Sequence, residues 1–170
     1  FRKQKNQIIL IKAFYHFQKN FKNYKLLLVG DGILKDKLKK KIDELNLNKN
    51  VIIMGWTENT QKFLKNAKIF VLSSLYEGLG NVLIDSINYD VPCISTDCFS
   101  GPREILLNGK GGFLVKNNDV VDLSNKMKFC ISNYKLAIKK NNISKKYLKR
   151  FLTIDRVREY EKYLLKFENF

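Results

Sequence analysis

Histidine and cysteine are scarce in this 170-residue sequence, with one histidine, His16, and three cysteines, Cys93, Cys98 and Cys130. The cysteines are odd in number, lack metal-ligand spacing and have no histidine near them. A disulfide framework, a zinc site and a cysteine–histidine catalytic pair are therefore all disfavoured, and buried reduced thiols are expected. His16 falls within an amphipathic stretch over 6–20 and reads as a helix-surface residue. No apolar run approaches the roughly 20 residues that span a bilayer, and the opening Phe1-Arg2-Lys3-Gln4-Lys5 contains no signal-peptide core. The expectation is a cytoplasmic protein, free or peripheral at the inner face of the membrane.

Acidic residues are also short: 16 against 32 basic ones, a net charge of +16. Such a field concentrates anything negative, be it nucleic acid, an anionic membrane or an acidic partner. Most of the excess is lysine in a chain also rich in Asn, Ile, Phe and Tyr, which fits a general compositional bias as well as a binding patch. A solvated lysine surface and a membrane-facing one both stay open. Nucleic acid is not expected as a partner, because no nucleic-acid motif is present and the aromatics fall at core-like spacings instead of forming a stacking platform.

What is present is enough apolar residue, 45%, to bury the core of one domain over 1–170. Short β-branched runs alternate with longer lysine-studded amphipathic stretches, the pattern of repeated strand–helix units around a parallel sheet. Strands are predicted over 25–29, 51–54, 69–72, 92–95 and 112–115, with an apolar continuity that suits strands covered on both faces. Helices are predicted over 6–20, 33–45, 60–66, 81–89, 102–107, 119–133, 135–149 and 154–167, so that the last third is helical and wraps the sheet. A helix starting at Asn6 calls for a strand before it, so the first strand is expected to be largely missing and the chain to begin inside its fold.

Two segments carry chemistry. In Leu26-Leu27-Leu28-Val29-Gly30-Asp31-Gly32 a strand runs into a glycine turn that lets backbone approach a ligand at the carboxyl end of a sheet. Lys35 stands where the third glycine of a dinucleotide fingerprint would fall, and no Gly-Lys-Ser/Thr follows, so neither a nicotinamide site nor a P-loop is supported. The second segment runs from Ser73 to Ser86. A strand ends in two serines, Glu77 follows, and a glycine-flanked turn opens a helix near Asn81 whose free amides and dipole suit a phosphate. Asp85 lies one to two turns inside that helix, so both carboxylates can face one crevice. A phosphate site beside two hydroxyl-accepting carboxylates suits a nucleotide sugar.

These residues, with Lys5-Asn6-Gln7, Gly55-Trp56, Val91 to Asp97 and Gly101 to Leu106, resemble the carboxyl-terminal, donor-binding domain of the group 1 (family 4) retaining glycosyltransferases. That family includes bacterial lipopolysaccharide and capsule sugar transferases, and its GT-B fold sets two Rossmann-like domains across a cleft. The likeness covers essentially the whole chain. It implies an α/β fold, one half of GT-B, and transfer of a sugar from a nucleoside diphosphate sugar, with a uridine donor of a hexose or N-acetylhexosamine the commonest case. The acceptor implied is a glycan or a lipid-linked sugar, met through an amino-terminal domain.

The resemblance also implies roles. Glu77, the candidate catalytic carboxylate, holds the donor sugar; Asp85, where the family has glutamate, takes the ribose. Gly78, Leu79, Gly80 and Asn81 offer amides to the diphosphate, Gly30 and Gly32 form the close-approach turn, and Trp56 and Thr57 stand near the base. Lys5 matches a diphosphate-binding lysine, and the arginine that accompanies it in the family would fall just before Phe1. No metal or other cofactor is implied, since these cationic side chains and a helix N-terminus meet the diphosphate charge. Two competing readings remain, a non-catalytic remnant that only binds nucleotide and a basic nucleic-acid-binding module.

Overall fold

The computed structural model describes residues 1–151. The helix predicted over 154–167 lies outside the described residues. Five strands alternate with helices: α1 (Gln7–Gln18), β1 (Leu26–Val29), α2 (Lys35–Glu44), β2 (Val51–Met54), α3 (Gln61–Leu64), β3 (Phe70–Leu72), α4 (Asn81–Asn88), β4 (Cys93–Thr96), α5 (Pro102–Ile105), β5 (Phe113–Val115), α6 (Val120–Ser132) and α7 (Tyr134–Tyr147). Short 3-10 turns, Lys3–Lys5 and Leu148–Phe151, flank them. Each predicted element within 1–151 is present, with ends shifted by at most two residues. The helix predicted over 102–107 stops at Ile105 because Leu107 and Asn108 turn left-handed, at φ 53° and 52°. The helix predicted over 60–66 closes to one turn, where the Asn66 side-chain amide donates to the Lys62 carbonyl at 2.8 Å.

All pairing is parallel, but the single sheet expected from the sequence is divided. β1 pairs with β2, from Leu26 opposite Val51 to Val29 opposite Met54, while β3, β4 and β5 form a second sheet in that order. Between the inner edges of β1 and β3 lies a cavity of about 870 Å³, walled by both strands and by Leu10, Phe14 and Phe17 of α1. β4, at the centre of its sheet, is buried along its whole length. β2 is not covered on both faces as predicted: it is an edge strand that turns Ile52 and Met54, 42% and 40% exposed, to solvent.

Helix α1 buries Leu10, Ala13, Phe14 and Phe17, a three-and-four spacing that makes one apolar stripe. That stripe packs with Leu123, Met127 and Cys130 of α6. Complete burial of a side chain such as Phe14 or Phe17 contributes roughly 1.5–3 kcal/mol. Phe17 stacks on Phe21 with centroids 4.7 Å apart. His16, on the opposite side of the helix, is exposed as predicted. Asp119 caps α6, its carboxylate accepting from the amides of Val121 and Asp122 at 3.0 and 2.9 Å.

Helix α7 packs on α4, α5 and the turn before β5, in part through small residues. Ser144 of α7 donates to the Ile105 carbonyl at 2.9 Å, and a Cβ at Gly111 would fall 1.8 Å from its hydroxyl, so only glycine admits this approach. The three cysteines are free and buried. Burial raises the Cys130 thiol to about 12 and pushes that of Cys93 up as well.

Candidate functional site

The carboxyl ends of β1, β3, β4 and β5 open onto one rim, and the loop after β3 is its centre. Ser73 and Ser74 continue the strand into that loop, the first bonded to backbone and the second to a carboxylate. Ser73 Oγ donates to the carbonyl of Lys5 at 2.8 Å, and Ser74 Oγ donates to Glu77 Oε1 at 2.5 Å. Lys5 Nζ meets the same Oε1 at 2.7 Å, so the lysine and the carboxylate that the sequence nominates are joined across 72 positions of chain. The Glu77 side chain is only 6% exposed. Oε2 accepts no hydrogen bond among the described residues, which leaves one carboxylate oxygen for a ligand.

The loop is held from both sides. Thr96 of β4 donates to the Ser74 carbonyl at 2.5 Å, and Asn117, after β5, donates to the Leu75 carbonyl at 2.9 Å. From the chain start, the Leu75 amide donates to the Gln4 carbonyl at 2.8 Å and Gln4 Nε2 to the Tyr76 carbonyl at 2.9 Å. Gln4, Ser73, Thr96 and Asn117 were not singled out from sequence as site residues. The paired serines were visible as the end of a strand; the rest come from elements far apart in the chain.

Removing the Ser74 hydroxyl takes one of two donors from a nearly buried carboxylate. Ser74→Ala is therefore expected to lose about 1.5–3 kcal/mol, the range for hydrogen bonds to charged groups. Urea unfolding at neutral pH measures it, and a loss below about half a kcal/mol, the level of an ordinary surface change, would show that the bond does not hold Glu77.

The turn into α4 places Gly80 at the N-cap with φ 83°, and no side chain caps the amides that follow. Gly78 and Leu79 are exposed before it. Gly101, with φ 59° and ψ −75°, presses against this turn; a Cβ there would meet the Gly78 and Leu79 carbonyl oxygens at 2.3 and 2.4 Å. Beside it Arg103 Nε donates to Asp97 Oδ1 at 2.8 Å, with a second bond from Nη2 to Oδ2.

Asp85 is placed differently from Glu77. It lines a pocket of about 200 Å³ in the groove between α3 and α4, with Glu58, Thr60, Gln61, Leu64, Asn88 and Tyr89. Glu77 is not among the residues bordering that pocket. Glu58, Thr60, Gln61 and Asn88 were missed from sequence, although Asn88 follows Asp85 by the three residues that put both on one helix face. Thr57 and Trp56 lie in the same loop as Glu58 but outside the pocket wall. Trp56 is 71% exposed and so is not a packing residue.

The glycine turn after β1 is occupied by the chain itself. Gly32 has φ 147°, a Cβ there would lie 2.1 Å from the Phe1 nitrogen, and the Leu34 amide donates to the Phe1 carbonyl at 3.4 Å. Gly30 sits against the Phe1 ring. The Lys35 ammonium, and then the Gly32 amide, hold the Asp31 carboxyl below its ordinary range. Among the described residues no group of three histidine, cysteine, aspartate or glutamate side chains could hold a metal.

The family model for glycosyl transferases group 1 matches residues 1–150. An uncharacterized glycosyltransferase of Methanocaldococcus jannaschii is 48% identical over 103 residues, 61% of this chain and 25% of that protein. The N-acetylgalactosamine-N,N'-diacetylbacillosaminyl-diphospho-undecaprenol 4-alpha-N-acetylgalactosaminyltransferase of Campylobacter jejuni is 32% identical over 163 residues, 96% of this chain and 44% of that protein. The chain thus spans less than half the length of these curated relatives. Among solved structures, a mutant of TarM from Staphylococcus aureus, in complex with UDP, fondaparinux and alpha-GlcNAc-glycerol, superposes with a TM-score of 0.86 and 27% identity over 94% of this chain and 32% of that one. The chain has the Rossmann-like architecture of one GT-B half, and it belongs to the group 1 glycosyltransferase family.

Proposed function

We propose that this chain is the donor-binding half of a retaining transferase that moves a sugar from a nucleoside diphosphate sugar to a glycan or lipid-linked acceptor in cell-surface polysaccharide synthesis. The observation that carries the reading is Glu77, nearly buried, tied through one oxygen to Ser74 and Lys5, and set just before the uncapped amino end of α4. A carboxylate so fixed can accept hydroxyls of a sugar whose diphosphate lies on the amides of Gly78 to Asn81.

In the reaction the bond from the anomeric carbon to the leaving diphosphate oxygen breaks, a bond to the acceptor oxygen forms on the same face, and the proton of the acceptor hydroxyl passes to the departing diphosphate. The charge that grows on the diphosphate is met by Lys5 and by the amides and dipole of α4. This reading needs no resident metal. Asp85 takes the ribose in the pocket it shares with Glu58 and Thr60, and Trp56 and Thr57 stand at its edge for the base. Pocket walls made of two carboxylates suit hydroxyl donors and repel phosphate, which separates the ribose end of the donor from its diphosphate end. The acceptor is met by a second domain, and the lysine-rich surface rests against anionic headgroups at the inner membrane face. No helix among the described residues is long and apolar enough to cross a membrane.

Calorimetric titration with UDP-hexoses and UDP-N-acetylhexosamines tests the donor reading. Saturable binding of one of them, weakened by Glu77→Ala and by Asp85→Ala, is expected. Binding that neither substitution changes would sink it.

A further inference from the structure

We propose that α7, together with the neighbouring face of α6, docks this domain on an anionic lipid bilayer, its lysines meeting phosphate headgroups and a line of apolar side chains entering the interface. The inference rests on the membrane part of the proposed function and deepens it by naming the surface. Charge is the first observation. From Leu123 to Phe151 the sequence has nine lysine and arginine residues and no aspartate or glutamate. The lysines of α2 are interleaved with Asp36, Asp43 and Glu44, so that helix presents a mixed surface and α7 a cationic one.

The spacing along α7 sorts these charges from the core. Ala137, Asn141 and Ser144 are buried, with Leu148 continuing their line. Lys135, Lys139, Asn142 and Lys146, each two positions before one of these, fall on the opposite side and are exposed. Beside that ridge runs a second line, Leu136, Lys140, Ile143 and Tyr147, and it is mostly apolar. Leu136 and Tyr147 are 41% and 54% exposed. Lys140 bends out of this line to the Gly109 carbonyl, with its ammonium 5.3 Å from the centre of the Phe113 ring. Phe113 in turn meets the Phe129 ring edge-on, centroids 6.0 Å apart, which carries the apolar surface onto α6. There Phe129 and, two turns earlier, Val121 are 45% and 65% exposed.

The two lines side by side select the occupant. A nucleic acid or a soluble polyanion needs the lysines alone, and exposed Val121 and Leu136 gain nothing from it. A bilayer uses both lines at once: headgroup phosphates draw the ammonium groups, while their stems and the apolar side chains beside them leave water at the acyl boundary. A second copy of this chain is opposed by charge, since a face without carboxylates has nothing to offer the lysines of another copy.

Cosedimentation with vesicles, without nucleotide, tests the surface. The chain is expected to bind vesicles of equal parts phosphatidylglycerol and phosphatidylcholine and not those of phosphatidylcholine alone. Lys139→Gln with Lys146→Gln should weaken binding roughly 10- to 30-fold, while Lys37→Gln with Lys40→Gln, the same charge taken from α2, should weaken it no more than about threefold. Leu136→Ser should cost roughly tenfold on vesicles and nothing on a single-stranded oligonucleotide. Val121→Ser repeats the comparison at a more exposed side chain should Leu136→Ser not fold. Equal losses from the two lysine pairs, equal binding to both vesicle types, no binding, or full binding by the apolar variants would overturn the surface. So would an oligonucleotide complex that survives salt sufficient to release the vesicles, which would assign the lysines to nucleic acid. Donor titration of the same lysine variants keeps the readings apart. A chain that takes a nucleotide sugar but no vesicle loses this surface alone, and one held to vesicles by α7 without binding a donor loses the donor site alone.

Discussion

Glu77→Gln is expected to weaken binding of the nucleotide sugar roughly 10- to 100-fold, the scale of a lost charge-assisted hydrogen bond, while affinity for the bare nucleoside diphosphate does not fall. The two ligands separate because Glu77 plays two parts. In the proposed reading Oε2 is the oxygen left for the sugar, while Oε1 occupies Lys5 at 2.7 Å and Ser74 at 2.5 Å. Glutamine keeps the shape and an acceptor for Ser74 but gives up the charge that detains Lys5. The lysine is then freer to meet a diphosphate. Calorimetry with both ligands on the variant reads the split, and an equal fall for both would mean that Glu77 serves the nucleotide or the fold instead of the sugar.

Gly101→Ala is expected to disrupt the rim strongly. The positions it would press on are the carbonyl oxygens of Gly78 and Leu79, 2.3 and 2.4 Å away, and these are backbone atoms that cannot rotate aside. The residue also sits at φ 59° and ψ −75°, a combination that a side chain disfavours even without the contact. A loss of about 2–4 kcal/mol in urea unfolding is expected, together with weaker donor binding as the turn before α4 is displaced. Gly78→Ala is the control. Nothing lies within 4 Å of its Cβ position, so it should cost no more than about 0.5 kcal/mol. Equal stability of the two variants would show that the loops are free to part.

Much of this was legible because it is local. A run such as Val51 to Met54 is apolar and β-branched, and its neighbours carry helical spacing, so element types could be read one after another. Glu77 was legible for the same reason, lying between a strand end and a glycine turn. What was not legible depends on partners distant in the chain. Nothing near Leu27 or Val71 tells which strand edge is paired, and so the division of the sheet could not be foreseen. The Lys5–Glu77 pair spans 72 positions, and Asn117 reaches Leu75 across 42. Asp85 was recognised by its place one to two turns inside the helix after Glu77, but its wall-mates on the α3 side belong to an element only one turn long, too short to show a periodicity.

Around the rim, three cations come already matched. Lys5 has Glu77, Lys35 has Asp31 and Arg103 has Asp97. Much of the excess of +16 is carried elsewhere, by side chains such as Lys37 and Lys40 on α2 and Lys135, Lys139 and Lys146 on α7, which form no ion pair among the described residues. An incoming anion is therefore drawn largely by a distant field and meets, beside Glu77, a lysine that already has a partner. Distant charges act through solvent and fade beyond a Debye length of about 8 Å at physiological ionic strength. Added salt should then slow the arrival of a dianionic ligand far more than it loosens one already seated, because what holds it is an exchange of partners inside the rim.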